Sequence, residues 1–130
     1  MPNKKILLVD DEKDLVMAVT MRLEQAGYEV VPAYDGAEAL EKAKKDKPDL
    51  IILDLMLPKI DGYKVCGLLK KDMRYSKIPI IIFTGKAHDS DMKLASEVGA
   101  DAYITKPFES QAFLDKIAEL LTARQGEAVL

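Results

Sequence analysis

Three aspartates, a threonine and a lysine stand at the ends of short apolar runs. Asp10 and Asp11 follow the run at 6–9, and Asp54 follows the run at 50–53. Thr84 follows the run at 79–83, and Lys106 follows the run at 102–105. If these runs are strands of one sheet, their ends share one rim, and the five side chains share a small crevice. Three carboxylates in one crevice repel one another strongly at low dielectric, so they need a cation. An all-oxygen donor set with no nearby His or Cys favours Mg²⁺ over zinc or copper. Mg²⁺ keeps waters and recruits phosphate oxygens as its remaining ligands. Lys106 suits those oxygens as a charge and Thr84 as a hydroxyl donor. The combination implies a phosphoryl group held by metal, lysine and threonine. An Asp within such a ring can itself be the nucleophile. Phosphoryl transfer asks mainly for positioning and charge neutralisation, which this set can supply.

The elements that must position these residues are legible as a change of period. Five apolar runs, at 6–9, 28–33, 50–53, 79–83 and 102–105, alternate with longer amphipathic stretches. Three of the runs are almost unbroken Ile, Leu and Val, as in strands covered on both faces. The run at 28–33 is weaker and carries Glu29, which places it at an edge of the sheet. Between the runs, Val16, Val19, Leu23 and Ala26 step by three and four residues, and so do Leu114, Ile117 and Leu121. Val65 with Leu69, and Met92 with Ala95, mark two more one-sided helices. Residues 37–45 read as helix by propensity. Gly27 and Gly99 each close a helical stretch just before a strand. The passages Gln25-Ala26-Gly27-Tyr28 and Glu97-Val98-Gly99-Ala100 read as one joint used twice. The pattern is lost after about Leu121, so residues 123–130 are expected to be a frayed tail. Five strands alternating with five helices give an α/β doubly wound parallel sheet. Such sheets bind ligands beyond the carboxyl ends of their strands.

Composition limits the alternatives. A chain of 130 residues, 48% hydrophobic and 32% charged, fits one globular domain with a real core. Nineteen Lys and Arg against 22 Asp and Glu leave a net charge of −3, with no basic footprint for nucleic acid or an anionic membrane. The single Cys66 excludes an internal disulfide framework, and the single His88 excludes multi-His metal sites. The chain opens on Met1-Pro2-Asn3-Lys4-Lys5 and then only four apolar residues before Asp10. That is too short for a signal peptide or a membrane span, and the default compartment is the cytosol.

These residues carry a family resemblance. The elements Leu8-Val9-Asp10-Asp11, Asp54-Leu55-Met56-Leu57-Pro58, Asp61-Gly62, Phe83-Thr84-Gly85 and Tyr103-Ile104-Thr105-Lys106-Pro107-Phe108 fall in order. Each is weak alone; all five at these spacings are highly specific. The chain resembles a receiver domain of the two-component response regulators and is similar to the chemotaxis response regulator type. The match runs from about Lys4 to Leu121, giving a receiver over 1–122 and the tail at 123–130. The resemblance implies a flavodoxin-like sheet in the order 2-1-3-4-5. It implies that Asp54 is the phospho-acceptor, with Asp11 a direct Mg²⁺ ligand and Asp10 a water-mediated one. Met56 stands where the family offers a backbone carbonyl to the metal. Thr84 resembles the hydroxyl that moves to the phosphoryl oxygen, Lys106 the phosphoryl-binding lysine and Tyr103 the aromatic that turns inward. Lys106-Pro107 matches the family's cis peptide bond. Met56 and Lys86 occupy the two positions expected to modulate how water reaches the acyl phosphate, with bulky Met56 shielding it.

Each residue also has a plainer reading. Asp10, Asp11 and Glu12 could cap the first helix. Asp54 could form a turn, Thr84 could be an N-cap and Lys106 a solvated lysine. Tyr103 could be a half-buried strand aromatic. Cys66 reads as a small buried hydrophobe and His88 as a surface loop residue. Lys42, Lys44, Lys45 and Lys47 read as a solvated helix face.

The leading functional reading is a phosphorylation switch. Asp54 takes a phosphoryl group from a histidine kinase or histidine phosphotransfer protein. The face made by the fourth helix, fifth strand and fifth helix then changes for an output partner. The chain would catalyse only its own phosphoryl transfer and dephosphorylation, as a monomer or as a dimer once phosphorylated, without contacting nucleic acid or membrane. A Mg²⁺-dependent phosphatase of haloacid dehalogenase type is the enzyme alternative. It needs a second acid two residues after the nucleophile, where Met56 stands. A flavin-binding version of the fold would need a Ser/Thr/Gly-rich phosphate loop where Asp10-Asp11-Glu12 stands. Within the receiver class, the alternative is an excised N-terminal domain of a DNA-binding regulator. Ala102 replaces the second acid that winged-helix regulators carry before the switch tyrosine.

Overall fold

A computed structural model of the chain describes residues 3–85, 89–106 and 109–129, with side chains through residue 122 apart from residues 89 and 90. Strands and helices alternate: β1 (Lys5–Val9), α1 (Lys13–Gln25), β2 (Glu29–Ala33), α2 (Gly36–Asp46), β3 (Leu50–Leu53), α3 (Gly62–Lys71), β4 (Ile80–Thr84), α4 (Asp89–Glu97), β5 (Ala102–Thr105) and α5 (Ser110–Val129). The strands form one parallel sheet in the order β2-β1-β3-β4-β5, as the resemblance implies. β3 and β4 are buried at every residue, which is why their sequences are continuous Ile and Leu rather than alternating.

The two faces of the sheet bury two separate cores. Leu7, Val9, Ile51, Leu53, Ile80 and Ile82 pack against α2, α3 and α4 through Ala39, Ala43, Val65, Cys66, Leu69 and Ala95. The intervening residues Ile6, Leu8, Leu50, Ile52, Ile81 and Phe83 pack against α1 and α5. Val16, Val19 and Leu23 supply the α1 stripe; Phe113, Ile117 and Leu121 supply that of α5. Phe83 and Phe113 stack with centroids 5.3 Å apart. Side-chain alternation along a strand therefore decides which helices a residue reports to.

The repeated joint is real. Gly27 and Gly99 have φ of +97° and +95°. In the first joint Tyr28 N–H donates to Leu23 O and Gly27 N–H to Glu24 O; in the second Ala100 N–H donates to Ala95 O and Gly99 N–H to Ser96 O. These paired bonds are the Schellman arrangement, which needs the left-handed residue that glycine supplies without strain. α2 starts with Asp35 accepting from Glu38 N–H, while Glu38 accepts in return from Tyr34 N–H at 2.6 Å.

Two expectations are amended. The backbone of α5 continues as helix through Val129, past the point where residues 123–130 were expected to fray. Ala, Arg, Gln and Glu in that stretch are good helix formers even without an apolar stripe. Lys42 is not simply solvated: its Nζ donates to Pro32 O at 2.6 Å and lies 3.7 Å from Glu38. Pro32 lies on β2, the edge strand. Glu29 N–H and Ala33 O both bond towards the β1 side, so by alternation Pro32 faces outward.

Candidate functional site

The carboxyl ends of β1, β3, β4 and β5 converge on a cleft of about 360 Å³ lined by Asp11, Glu12, Asp54, Met56, Thr84, Gly85 and Lys106. The backbone ladder carries past the strand ends and fixes this convergence. Asp10 N–H donates to Ala33 O at 3.1 Å, Asp54 N–H to Val9 O at 3.0 Å, and Lys106 N–H to Thr84 O at 2.8 Å. Burial is unusual for charged groups: Asp10 is 1% exposed and Asp54 4%.

One ammonium serves both buried carboxylates. Lys106 Nζ lies 2.6 Å from Asp10 Oδ2, 3.3 Å from Asp54 Oδ2 and 3.7 Å from Glu12 Oε1. It also lies 5.1 Å from the centre of the Phe83 ring, so the core of the α1/α5 side supports the lysine that neutralises the site. Backbone donors complete the arrangement: Glu12 N–H reaches Asp10 Oδ1 at 2.9 Å and Met56 N–H reaches Asp54 Oδ1 at 3.3 Å. The Thr84 side chain hydrogen-bonds the Asp54 carboxylate.

Burial raises the pKa of Asp54 above the usual carboxylate value, and the Asp10 charge adds to it; Lys106, Met56 N–H and Thr84 work against the rise. Burial by itself would lower Lys106, but its bond to Asp10 and the charges of Asp54 and Asp10 outweigh it and raise its pKa. Among the described residues, one lysine faces Asp10, Asp54 and Glu12, with Asp11 beside them. Oxygens of Asp10, Asp11 and Asp54 lie within 4.8 Å of one another. An all-carboxylate set at this spacing suits a hard divalent cation.

The plainer readings can now be judged. α1 has Glu12 as its N-cap residue with no side-chain cap bond, so the acidic run does not cap it in the usual way. Thr84 is the last residue of β4 and fully buried, so it is not the N-cap of α4. The Lys106 side chain is only 16% exposed and ion-paired. Tyr103 is half-buried on β5, opposite Ile82, while Thr105 stands opposite Thr84. Thr84 and Tyr103 therefore share the sheet face packed by α3 and α4. Cys66 is fully buried, and burial pushes its thiol up to about 11. Lys86, His88, Pro107 and Phe108 lie outside the described residues. Sequence reasoning weighed Glu12 as a helix cap and not as a site residue, whereas it lines the cleft 3.7 Å from Lys106 Nζ. The same reasoning passed over the close approach at Gly62, where a Cβ would stand 2.1 Å from Asp54 O.

The family model for the response regulator receiver domain matches residues 6–118. The chain belongs to the response regulator receiver family. It is a receiver of the two-component type, with the fold and acidic site described above. This receiver is 47% identical over 121 residues to the alkaline phosphatase synthesis transcriptional regulatory protein PhoP of Bacillus subtilis, covering 92% of this chain and 49% of that protein. The chain thus spans about half the length of the curated relatives it matches. Among solved structures, a CheY-like receiver domain protein from Methanospirillum hungatei superposes with a TM-score of 0.90 at 32% identity, covering 96% of this chain and 98% of that one. The receiver domain of the sensor histidine kinase PA1611 from Pseudomonas aeruginosa superposes with a TM-score of 0.86 at 27% identity, over 92% of this chain and 98% of that one. That structure has a magnesium ion coordinated in its active-site cleft. The acidic cluster of this receiver is compatible with the same ion. No helix among the described residues is long and apolar enough to cross a membrane.

Proposed function

We propose that this receiver accepts a phosphoryl group on Asp54 from a histidine kinase or histidine phosphotransfer protein. The observation that carries the reading is the position of Lys106, which faces Asp54 and Asp10 together in a cleft also lined by Asp11, Glu12 and Thr84. An Asp54 oxygen forms the new bond to phosphorus as the bond from phosphorus to the donor imidazole nitrogen breaks. The bonding pair leaves with that nitrogen, so no further reactant is required. Lys106 and the Met56 and Thr84 donors offset charge gathering on the phosphoryl oxygens.

Asp10, Asp11, Asp54 and the Met56 carbonyl would hold Mg²⁺. The ion, when bound, supplies the positive charge that one lysine cannot. The receiver thus promotes only its own modification and hydrolysis. Met56, 59% exposed at the cleft wall, screens the acyl phosphate from water, and Lys86 shares that role. Thr84 follows the phosphoryl oxygen and Tyr103 turns inward behind it, changing the face of α4, β5 and α5 for an output partner. The working compartment is the cytoplasm, and 1–122 is the functional unit.

The test is incubation with a small phosphodonor and Mg²⁺ followed by intact-mass spectrometry. One added phosphoryl group is expected in the native chain and none in Asp54→Ala. Modification that persists in the variant, or that needs no metal, defeats the assignment.

A further inference from the structure

Tyr63 on α3 and Asp91 on α4 join two helices that the sequence gives no reason to connect. The Tyr63 hydroxyl donates to Asp91 Oδ1 at 2.9 Å, and Asp91 O lies 3.2 Å from the same hydroxyl. The α3 end of this bond is held firmly. Gly62, the preceding residue, donates its N–H to Leu55 O at 3.0 Å and presses against Asp54 O so closely that no Cβ fits. Tyr63 is therefore anchored to the backbone that carries Asp54. The α4 end is held lightly. Among its described side chains only Ala95 is buried, while Met92 and Leu94 are 46% and 40% exposed. A short helix with so little burial takes its position from a few specific contacts. Tyr103 stands close to the same pair. Burial first, and then the Asp91 carboxylate, raise the pKa of both phenols.

We propose that Tyr63 is a positioning residue of the switch: its bond to Asp91 holds the first turn of α4 in the resting arrangement and is given up on phosphorylation. The proposal rests on the reading of Asp54 as acceptor and of Thr84 and Tyr103 as the moving pair. Thr84 ends β4, and Asp91 follows it by seven residues. Drawing Thr84 towards a phosphorylated Asp54 pulls on the start of α4, while α3 cannot follow because Gly62 is pressed against Asp54. A hydrogen bond made in one state only biases a two-state equilibrium by its net strength, about 2- to 10-fold.

The experiment uses the whole 130-residue chain as native protein, Tyr63→Phe, Asp91→Ala and Asp91→Asn. Amide hydrogen exchange without ligand is the first readout. In Tyr63→Phe the start of α4 should exchange faster while α3 and the sheet are unchanged. The second readout is half-saturation by beryllium fluoride with Mg²⁺. The required concentration should fall about 2- to 10-fold in Tyr63→Phe and Asp91→Ala, and Asp91→Asn, which keeps an acceptor oxygen, should stay nearer the native value. Faster exchange spread over the whole molecule with unchanged half-saturation means a merely structural bond and overturns the proposal. Unchanged exchange at α4 also overturns it. If the native chain itself does not bind beryllium fluoride, the Asp54 reading fails first and the switch role falls with it; if it binds and the variants match it, this inference alone fails.

Discussion

Lys106 and Asp10 stand 2.6 Å apart across the cleft, although β1 and β5 are separated in the sheet by β3 and β4. The lysine reaches over the ends of the intervening strands, and Asp54 lies on its path. This ammonium stabilises the resting site by offsetting carboxylates that the fold has removed from water.

Removing that charge should be costly. Lys106→Met is expected to lose about 3 kcal/mol of stability, because a buried pair that loses one partner leaves uncompensated charge. Added Mg²⁺ should recover much of the loss. Thermal unfolding with and without Mg²⁺ checks this; a variant that melts with the native protein in both conditions contradicts it.

Removing a carboxylate should do the opposite. The folded pKa of Asp54 is raised, so the fold favours its protonated form. Ionised Asp54 then costs stability at neutral pH, and the cost fades as pH falls through the folded pKa. Metal-free Asp54→Asn should therefore melt above the native protein at pH 7. The gap should close as pH drops towards about 4, the ordinary carboxylate range. Melting curves across that range in a chelator decide the point, and a gap that widens on acidification would refute the sign.

Two glycines in one helix should respond in opposite directions. At Gly62 a Cβ would meet Asp54 O at 2.1 Å and Leu55 Cα at 2.7 Å. Gly62→Ala should destabilise by about 1–3 kcal/mol and disturb phosphorylation of Asp54. At Gly67 a Cβ meets nothing within 4 Å. Gly67→Ala should stabilise by about 0.5–1 kcal/mol through helix propensity. Denaturant titrations of the pair provide the check.

The Cys66 thiol is fully buried and lies 3.7 Å from Val98 O. With its pKa pushed up to about 11, the folded state favours the neutral thiol. That contribution is complete below the unfolded value near 8.5 and is lost as pH rises towards 11. Native protein at pH 8 should resist thiol alkylation and be labelled only as fast as it opens. Prompt labelling would show a more accessible site.

The central strands were legible because β3 and β4 are buried at every residue and so read as continuous Ile, Leu and Phe up to a polar end; β2, only partly buried at the edge, was the weaker signal. The same abrupt ends revealed Asp10, Asp54, Thr84 and Lys106. What escaped were contacts that depend on how elements pack in three dimensions. Gly62 stood out only as part of the Asp61-Gly62 element of the resemblance, and its fit against Asp54 O depends on the angle at which α3 leaves the sheet. Tyr63 had no visible partner because Asp91 lies 28 residues away on a helix whose position no local pattern fixes. Lys42 looked solvated because its acceptor, Pro32 O, belongs to another element. The length of α5 escaped for a different reason: the apolar stripe ends near Leu121, but helix propensity does not.

Pro32 has one more effect. β2 has a neighbour on one side only, and an uncovered strand invites another sheet to continue it. At Pro32 an incoming strand finds no N–H to accept from, and the carbonyl it would donate to already holds Lys42 at 2.6 Å. Two copies that collide along this border cannot zip into one continuous sheet. Of the two borders of the sheet, the β2 side is thereby guarded against edge-to-edge joining.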